Sequence, residues 1–169
     1  MSVKPLGDST PLNTLTPEDM DKFMPQFTGD YLGKVAERVR AERAKSVINS
    51  YRDLAIWQRS MMLAEMSYRL SVRLPSEEKY GLVTQIRRAA VSIPANIAEG
   101  HGRESTGSFI QFLRISQGSL KELETHLLLT ERLGLAANEQ LQPLLAECDE
   151  IGRMLRALIR SLQDRANAK

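Results

Sequence analysis

The sequence predicts an all-α protein: an antiparallel up-down-up-down four-helix bundle with an N-terminal helical and irregular extension. Leu and Ala dominate the composition and only 5 % of the 169 residues are aromatic, which favours helices over sheets. Apolar residues recur three and four residues apart in four long segments, and no segment alternates with the period of two that strands show. Short turn signals separate the four segments, as antiparallel neighbours require.

The chain divides into an N-terminal extension, residues 1–50, and a bundle, residues 51–165. Residues 1–16 are rich in Ser, Thr, Pro and Gly, and we expect them to be partly disordered. Thr16, with the proline and two acidic residues that follow it, is typical of the start of a short helix. Residues 30–49 predict a mostly polar helix with a thin apolar stripe. It is either a solvated arm or a helix that docks on a partner.

The first bundle helix begins near Tyr51 and ends before Pro75. We assign its core-facing stripe to Leu54, Trp57, Met61, Ala64 and Tyr68. A second stripe on the same helix contains Ile56, Leu63, Met66 and Leu70. Two stripes are more than the core of one bundle needs, so we assign the second stripe to a contact between subunits.

The second helix begins at Ser76 and ends at Gly100 and Gly102. Its stripe consists of Val83, Ile86, Ala90, Ile93 and Ile97. Pro94 lies in its interior, where a proline costs about 3 kcal/mol, so tertiary packing must hold this segment together. We expect Val91, Ala95 and Ala98, together with Gly118 on the next helix, to allow a close approach between helices, and Asn96 and Glu99 to bond the backbone groups that Pro94 frees.

The third helix covers residues 105–133, and the fourth begins at Asn138, which we expect to be its N-cap. The stripe of the third helix is Phe109, Leu113, Ser116, Leu120, Leu123, Leu127 and Thr130. The stripe of the fourth is Leu141, Leu144, Cys148, Ile151, Leu155, Leu158 and Leu162. Phe112, Ile115 and Leu129 lie outside the third stripe, and we add them to the predicted subunit interface of a homo-oligomer.

Few residues in the chain are suited to catalysis or to metal binding. Cys148 is the only cysteine, so a disulfide within the chain is excluded, and its place on an apolar stripe predicts a buried side chain. His101 is predicted in an exposed turn. Glu122 and His126 lie one helical turn apart, but a metal site in a bundle needs more carboxylates and histidines on facing helices. The sequence also has no phosphate-binding glycine loop. We therefore expect no catalytic residue, no metal, no cofactor and no enzymatic activity.

The chain contains no apolar run near 18 residues and no signal-peptide pattern, so we expect a cytoplasmic protein without a membrane segment. Its net charge of +2 is too near neutral to indicate nucleic-acid binding by itself. The basic residues are nevertheless clustered locally. The clusters that could neutralise phosphates are Arg87 and Arg88 on the second helix with Arg103 just beyond its end, and Arg153, Arg156 and Arg160 on the fourth. Pairing with acidic neighbours within the chain is the alternative, for example between Asp149 and Arg153.

The bundle segment resembles a known bacterial family, the four-helix-bundle proteins of the ribosomal RNA intervening-sequence type. The stretches that carry the resemblance are YRDLAIWQRS, LPSEEKYGLVTQIRRAAVSIPANIAEGHGR, FIQFLRISQGSLKELETHLLL and the closing helix. The accessory variability proteins of diversity-generating retroelements are similar too. The resemblance implies a ring-like homopentamer with a basic surface and, in the retroelement branch, binding to nucleic acid and to a reverse transcriptase. It also implies that Arg87, Arg88 and Arg103 are the basic members of the shared motif.

Two functions follow from these observations as expectations. The first is a non-catalytic oligomeric adaptor that binds RNA or DNA, because a ring would repeat each basic cluster around its axis. The second is a protein-interaction scaffold without physiological nucleic-acid binding, in which the bundle docks a partner protein.

Overall fold

Four long helices make up the described part of the chain. The structure, a computed structural model, describes residues 50–168. Its helices are α1 (Ala55–Arg73), α2 (Leu82–Gly102), α3 (Thr106–Arg132) and α4 (Asn138–Asn167), with 3-10 turns at Tyr51–Asp53 and Ser76–Tyr80. No strand occurs in this range, so the all-α prediction is confirmed. The predicted extension lies outside the described residues except for Ser50, and its boundary at residue 50 stays a prediction.

The helices pack as a bundle in chain order. α1 contacts α2 and α4, and α3 also contacts α2 and α4, so that each helix lies beside its neighbours in the sequence and the fourth closes against the first. The fully buried side chains come from all four helices and include Leu63, Ile86, Ile93, Ile97, Leu113, Leu120, Leu123, Leu127, Leu141, Ile151 and Leu155. The stripes predicted for the last three helices therefore face this core, as antiparallel bundle packing requires.

Local sequence signals explain most of the helix ends. Leu74 is extended before Pro75, since a residue that precedes proline disfavours the helical conformation. α3 ends at Arg132, and Gly134, two residues later, has a φ of +67°, the left-handed conformation that glycine adopts without strain. The N-cap of α4 is Ala137, so the prediction of Asn138 as cap was wrong. Asn138 lies inside the first turn and its side chain accepts a hydrogen bond from Gln142, while the side chain of Gln140 accepts from the Ala137 N–H at 3.0 Å.

The two stripes predicted for α1 were only partly correct. Leu54 and Ala64 of the core-facing stripe are buried, and Trp57 packs against the core. Met61 and Tyr68, which we expected in the core, are 38 % and 39 % exposed. The core also takes in Ile56, Leu63 and Leu70 of the second stripe, which are at most 5 % exposed. These three residues therefore have almost no surface left for a second subunit. Met66, the fourth member of that stripe, is half-buried against the core.

Serine side chains explain this error. The buried face of α1 also contains Ser60, Ser67 and Ser71, which interrupt the apolar pattern in the sequence. The hydroxyl of Ser60 donates to the Ile56 carbonyl at 2.7 Å, and that of Ser67 donates to the Leu63 carbonyl at 2.8 Å. Because each hydroxyl is satisfied within the helix, burial costs little and serine can occupy a core position.

The close approach of α2 to α3 occurs at other residues than those predicted. A Cβ added to Gly100 would lie 2.5 Å from the Cβ of Phe112, so only glycine fits there. Val91 and Ala95 are exposed instead, and a Cβ added to Gly118 would meet nothing within 4 Å. Serines complete the contact: the hydroxyls of Ser92 and Ser119 lie 2.8 Å apart, and the hydroxyl of Ser116 donates to the Ile93 carbonyl at 3.1 Å.

Pro94 is buried within α2, and the helix continues past it to Gly102. The backbone carbonyl that loses its partner at a helical proline is that of Ala90, four residues earlier. The Asn96 amide donates instead to the Ser92 carbonyl at 2.8 Å, and Glu99 pairs with Arg103. The expected rescue of the freed backbone group by Asn96 and Glu99 was therefore wrong.

Candidate nucleic-acid interface

Arg87 connects two helices of the bundle. Its Nε donates to the Ser71 hydroxyl at 2.8 Å, and its guanidinium carbon lies 5.0 Å from the centroid of the Tyr68 ring. Hydrogen bonding and cation–π contact thus hold this half-buried side chain between α1 and α2. Arg87 therefore has a packing role between the two helices, in which its Nε and one face of its guanidinium are engaged.

Arg88 and Arg103 do not form one cluster. Arg88 is exposed on α2, and no ion pair to it occurs among the described residues. Arg103 follows the last residue of α2. It lies about 22 Å from Arg88 along the helix axis, at a rise of 1.5 Å per residue. Its Nη2 lies 2.6 Å from the Glu99 carboxylate, and its guanidinium carbon lies 5.5 Å from the Phe112 ring centroid. Of the three predicted arginines, only Arg103 is paired with a carboxylate in the described part of the chain, and only Arg88 is exposed without such a partner there.

The arginines of α4 divide in the same way. Arg153 donates two hydrogen bonds to Glu150, at 2.6 and 3.1 Å. This contact lowers the pKa of the Glu150 carboxyl and raises the pKa of Arg153, so each charge is largely compensated by the other. Arg156 and Arg160 are exposed one helical turn apart and make no ion pair within the described range.

A further arginine, absent from the sequence prediction, lies near this pair. A Cβ added to Gly152 on α4 would lie 3.6 Å from Leu120 Cδ2 on α3, which fixes the antiparallel register of the two helices. Because the two helices are antiparallel, Arg114, six residues before Leu120, lies level with residue 158, six residues after Gly152. Along the helix axis, Arg114 is therefore between Arg156 and Arg160. Arg114 is also exposed and has no ion-pair partner in the described part of the chain. We call Arg114, Arg156 and Arg160 the α3–α4 basic face.

Sequence reasoning missed Arg114 because it is the only basic residue in its stretch of α3, and a lone arginine gives no signal. Only the helix register, which depends on packing, brings it to the level of the two arginines on α4. The nearest acidic residue beyond the pair on α4 is Asp164, one turn after Arg160, and no ion pair joins these two side chains.

The other candidate groups give no chemical site. Burial raises the pKa of the Cys148 thiol to about 12, and the nearby Glu124 carboxylate adds to this effect, so the sulfur stays protonated. His101 lies in the last turn of α2, half-buried and edge-on to Phe109 at 5.8 Å, which corrects its prediction as an exposed turn residue. The His126 ring lies 3.8 Å from Glu122. No group of three metal-ligating residues is found among the described residues.

Part of the predicted subunit interface remains accessible. Ile115 and Leu129 are 45 % and 42 % exposed on α3, whereas Phe112 is half-buried against Gly100. Leu128 and Leu133 add exposed apolar surface on the same helix and just beyond its end. Of the residues predicted for the subunit interface, the exposed ones therefore lie on α3, whereas Ile56, Leu63 and Leu70 of α1 are in the core.

Comparison with known proteins identifies the family. The family model of the 23S rRNA-intervening sequence protein matches residues 52–157, which is more than half of the chain. The chain belongs to this family. A similar solved structure is that of a Bacteroides thetaiotaomicron VPI-5482 protein of the S23 ribosomal protein family, described as of unknown function. It is 29 % identical with a TM-score of 0.59, and the match covers 62 % of this chain and 95 % of that one. The search of curated proteins gave no match.

The family model and the solved relative cover the bundle, and they support the four-helix fold of this intervening-sequence protein. Neither gives a role to an individual residue. Among the described residues, no helix is both long enough and apolar enough to cross a membrane. The surface charges and their partners are therefore the basis for a functional proposal.

Proposed function

We propose that this intervening-sequence protein is a non-catalytic, oligomeric adaptor that binds the phosphate backbone of RNA or DNA through its α3–α4 basic face. The observation that carries the proposal is the contrast among its arginines. Arg87, Arg103 and Arg153 are engaged by neighbours, whereas Arg114, Arg156 and Arg160 are exposed at one level of α3 and α4 without a compensating carboxylate in the described range.

Phosphate is the ligand that this arrangement fits. Guanidinium groups bind phosphate oxygens with paired hydrogen bonds, and they remain charged at every physiological pH. Arg156 and Arg160 lie about 6 Å apart along α4, within reach of nearby phosphates of one strand. Contacts of this kind fix position without reading bases, so we expect binding with little sequence preference.

Oligomerisation would strengthen this weak individual site. One protomer carries a net charge of only +2, but closed symmetry would repeat the basic face around an axis and raise the local potential. The exposed Ile115 and Leu129 are candidates for the subunit contact, and a homopentamer is the assembly that the resemblance in the sequence implies. Sedimentation equilibrium of the full-length protein measures the assembly directly: a monomer at all concentrations would contradict this part of the proposal.

The binding test uses a fluorescently labelled RNA and its DNA equivalent at about 50 mM salt. The Arg156→Ala/Arg160→Ala variant should weaken binding about 10- to 100-fold, because each arginine that no longer neutralises a phosphate removes most of one counterion-release contribution. The matched control is Glu150→Gln/Arg153→Gln, which removes a compensated pair on the same helix and leaves the net charge unchanged. It should bind like the unaltered protein. Absence of any binding by the unaltered protein, or equal losses of affinity in both variants, would refute the proposal.

A second candidate function, a protein-interaction scaffold, is favoured by the exposed apolar side chains of α3. Leu128 and Leu129 are each more than 40 % exposed, and apolar surface of this kind is typical of protein contacts. A reverse transcriptase is the partner class that the family resemblance suggests. Under this alternative, Leu128→Ser/Leu129→Ser should abolish capture of the partner while Arg156→Ala/Arg160→Ala leaves it unchanged.

A further inference from the structure

Tyr80 is the most exposed large apolar side chain among the described residues of the bundle. It is 86 % exposed, whereas Leu133, the next, is 56 % exposed. It is the last residue of the 3-10 turn Ser76–Tyr80, directly before α2. Because so little of its ring is removed from water, burial in this chain contributes almost nothing to keep an aromatic side chain here.

The backbone that carries Tyr80 is fixed on both sides. The Glu78 N–H donates to the Pro75 carbonyl and the Gly81 N–H donates to the Glu78 carbonyl, both at 3.0 Å. The Glu78 carboxylate accepts the Leu82 N–H at 3.1 Å, which ties the turn to the start of α2. The turn therefore holds the backbone of Tyr80 in place, so that binding to the ring requires ordering of the side chain only.

Two cations accompany the ring. Lys79 Nζ lies 5.6 Å from the centroid of the Tyr80 ring. The Thr84 hydroxyl donates to the Lys79 carbonyl at 2.8 Å, which places the turn over the exposed face of α2. Arg88 lies one turn beyond Thr84 on that face and forms no ion pair in the described part of the chain. The aromatic ring and both positive charges therefore follow one short strip of surface.

The two carboxylates of the turn keep their negative charge but accept hydrogen bonds within the turn and at the start of α2, and neither pairs with Lys79 or Arg88. Glu78 binds the Leu82 N–H, and the Glu77 carboxylate accepts from the Ser76 hydroxyl at 3.3 Å. The strip thus combines an accessible ring face with two cations that have no carboxylate partner in the described range. An aromatic face beside such cations suits a ligand that presents a flat ring and negative charges a few ångströms apart.

We infer that Tyr80, Lys79 and Arg88 form a site for single-stranded nucleic acid, in which an unpaired base stacks on the Tyr80 ring. Lys79 and Arg88 bind the phosphates on either side of that base. In a duplex both faces of each base are covered by its neighbours, so the site selects unpaired strands. This inference rests on the proposed nucleic-acid function. It adds a preference for single-stranded over double-stranded nucleic acid, which phosphate contacts at the α3–α4 basic face cannot supply.

The test compares an intact 12-nucleotide strand with a strand of equal length and charge that lacks all bases, each as RNA and as DNA, bound to the full-length protein. The unaltered protein should bind the intact strand about tenfold more tightly than the base-free strand, since stacking of one base contributes at about this level. Tyr80→Leu keeps apolar area but removes the aromatic face, and it should lose that preference. Tyr80→Phe and Tyr80→Trp should keep it.

The outcomes separate this inference from the proposed function. Salt-sensitive binding that is equal for both strands, or a preference that survives Tyr80→Leu, overturns the stacking site and leaves the phosphate-binding adaptor standing. Failure of the unaltered protein to bind either strand overturns both. If Tyr80→Leu changes the sedimentation of the oligomer but not the strand preference, Tyr80 is a protein contact and the inference is wrong.

Discussion

The contacts on two sides of the bundle differ in the forces that hold them. α2 and α3 approach closely through Gly100 and through serine hydroxyls, and no ion pair joins these two helices in the described part of the structure. α1 and α4 are joined by a two-pronged ion pair. Arg59 Nε lies 2.7 Å from Glu147 Oε1 and Arg59 Nη2 lies 2.6 Å from Oε2, with Glu147 buried.

The difference shows which changes each contact tolerates. A close contact of small residues is sensitive to added volume, because packed side chains leave no room to accommodate it. A half-buried ion pair is sensitive instead to loss of one charge, which leaves the other without compensation. Added volume should therefore lower the free energy of unfolding most between α2 and α3, and loss of a charge should lower it most between α1 and α4. Urea titration measures both effects.

The largest expected effect comes from Gly100→Val. Its side chain would meet Phe112 Cβ at 2.5 Å and Phe109 Cδ2 at 3.1 Å, so α2 and α3 must separate. We expect a loss of about 3 kcal/mol, at the upper end of ordinary overpacking. Gly118→Val is the matched control. It adds the same side chain in α3, where nothing lies within 4 Å, and should change stability by less than about 0.5 kcal/mol. Similar losses in both variants would contradict the close contact.

The ion pair between α1 and α4 is tested by Glu147→Gln. The change keeps the shape but leaves the Arg59 charge without its partner, and we expect a loss of about 2 kcal/mol in the free energy of unfolding. This figure is below the usual range for a fully buried pair, because the Arg59 side chain is 25 % exposed. Glu150→Gln removes an exposed carboxylate from its pair with Arg153 and should have little effect. An unchanged urea midpoint for Glu147→Gln would show that the pair contributes no stability.

A smaller effect is expected from Ser116→Ala in the contact between α2 and α3. It removes the hydrogen bond to the Ile93 carbonyl and should cost about 1 kcal/mol. Thr125→Ala removes a hydroxyl that bonds the Lys121 carbonyl within α3 on the exposed side, and should cost less than about 0.5 kcal/mol. If the two losses are equal, the hydroxyl between the helices has no special role.

The smallest effect at neutral pH concerns Cys148 on α4. Since burial raises its pKa from 9.0 to about 12, the folded thiol keeps its proton where the unfolded thiol has lost it. Stability is therefore unaffected below pH 9 and falls as the pH rises from 9 towards 12. At about pH 8, where only the accessible thiolate reacts, iodoacetamide should label Cys148 only after urea unfolds the bundle, as mass spectrometry can show. Rapid labelling of the folded protein would mean that α4 opens from α3.

The sequence predicts the helices well because their periodicity is a local property. It fails where a choice depends on packing. The second stripe of α1 was wrongly assigned to the surface, since Ser60, Ser67 and Ser71 fill core positions beside it, and an internally bonded hydroxyl cannot be recognised in the sequence. Similarly, Gly100 and Gly118 are both glycines within helices, and the sequence does not distinguish them. Only Gly100 faces a neighbouring helix.

The candidate site was predictable only in part for the same reason. Spacing along α4 suffices to place Arg156 and Arg160 on one side of a helix. Two other features depend on the packing of one helix against another. Arg87 is held by Ser71 and Tyr68 of α1, and Arg114 of α3 lies level with Arg156 and Arg160 of α4. Exposure of Tyr80 likewise depends on the position of its turn, which periodicity does not describe.

The most direct test of the adaptor function is the salt dependence of RNA binding. The logarithm of the affinity of the full-length protein for a single-stranded RNA should fall linearly with the logarithm of the salt concentration. Replacing both Arg156 and Arg160 by alanine should reduce the steepness of this line by about 1.4, which is about 0.7 for each phosphate that is no longer neutralised. A slope unchanged by the double replacement would contradict phosphate binding at the α3–α4 basic face.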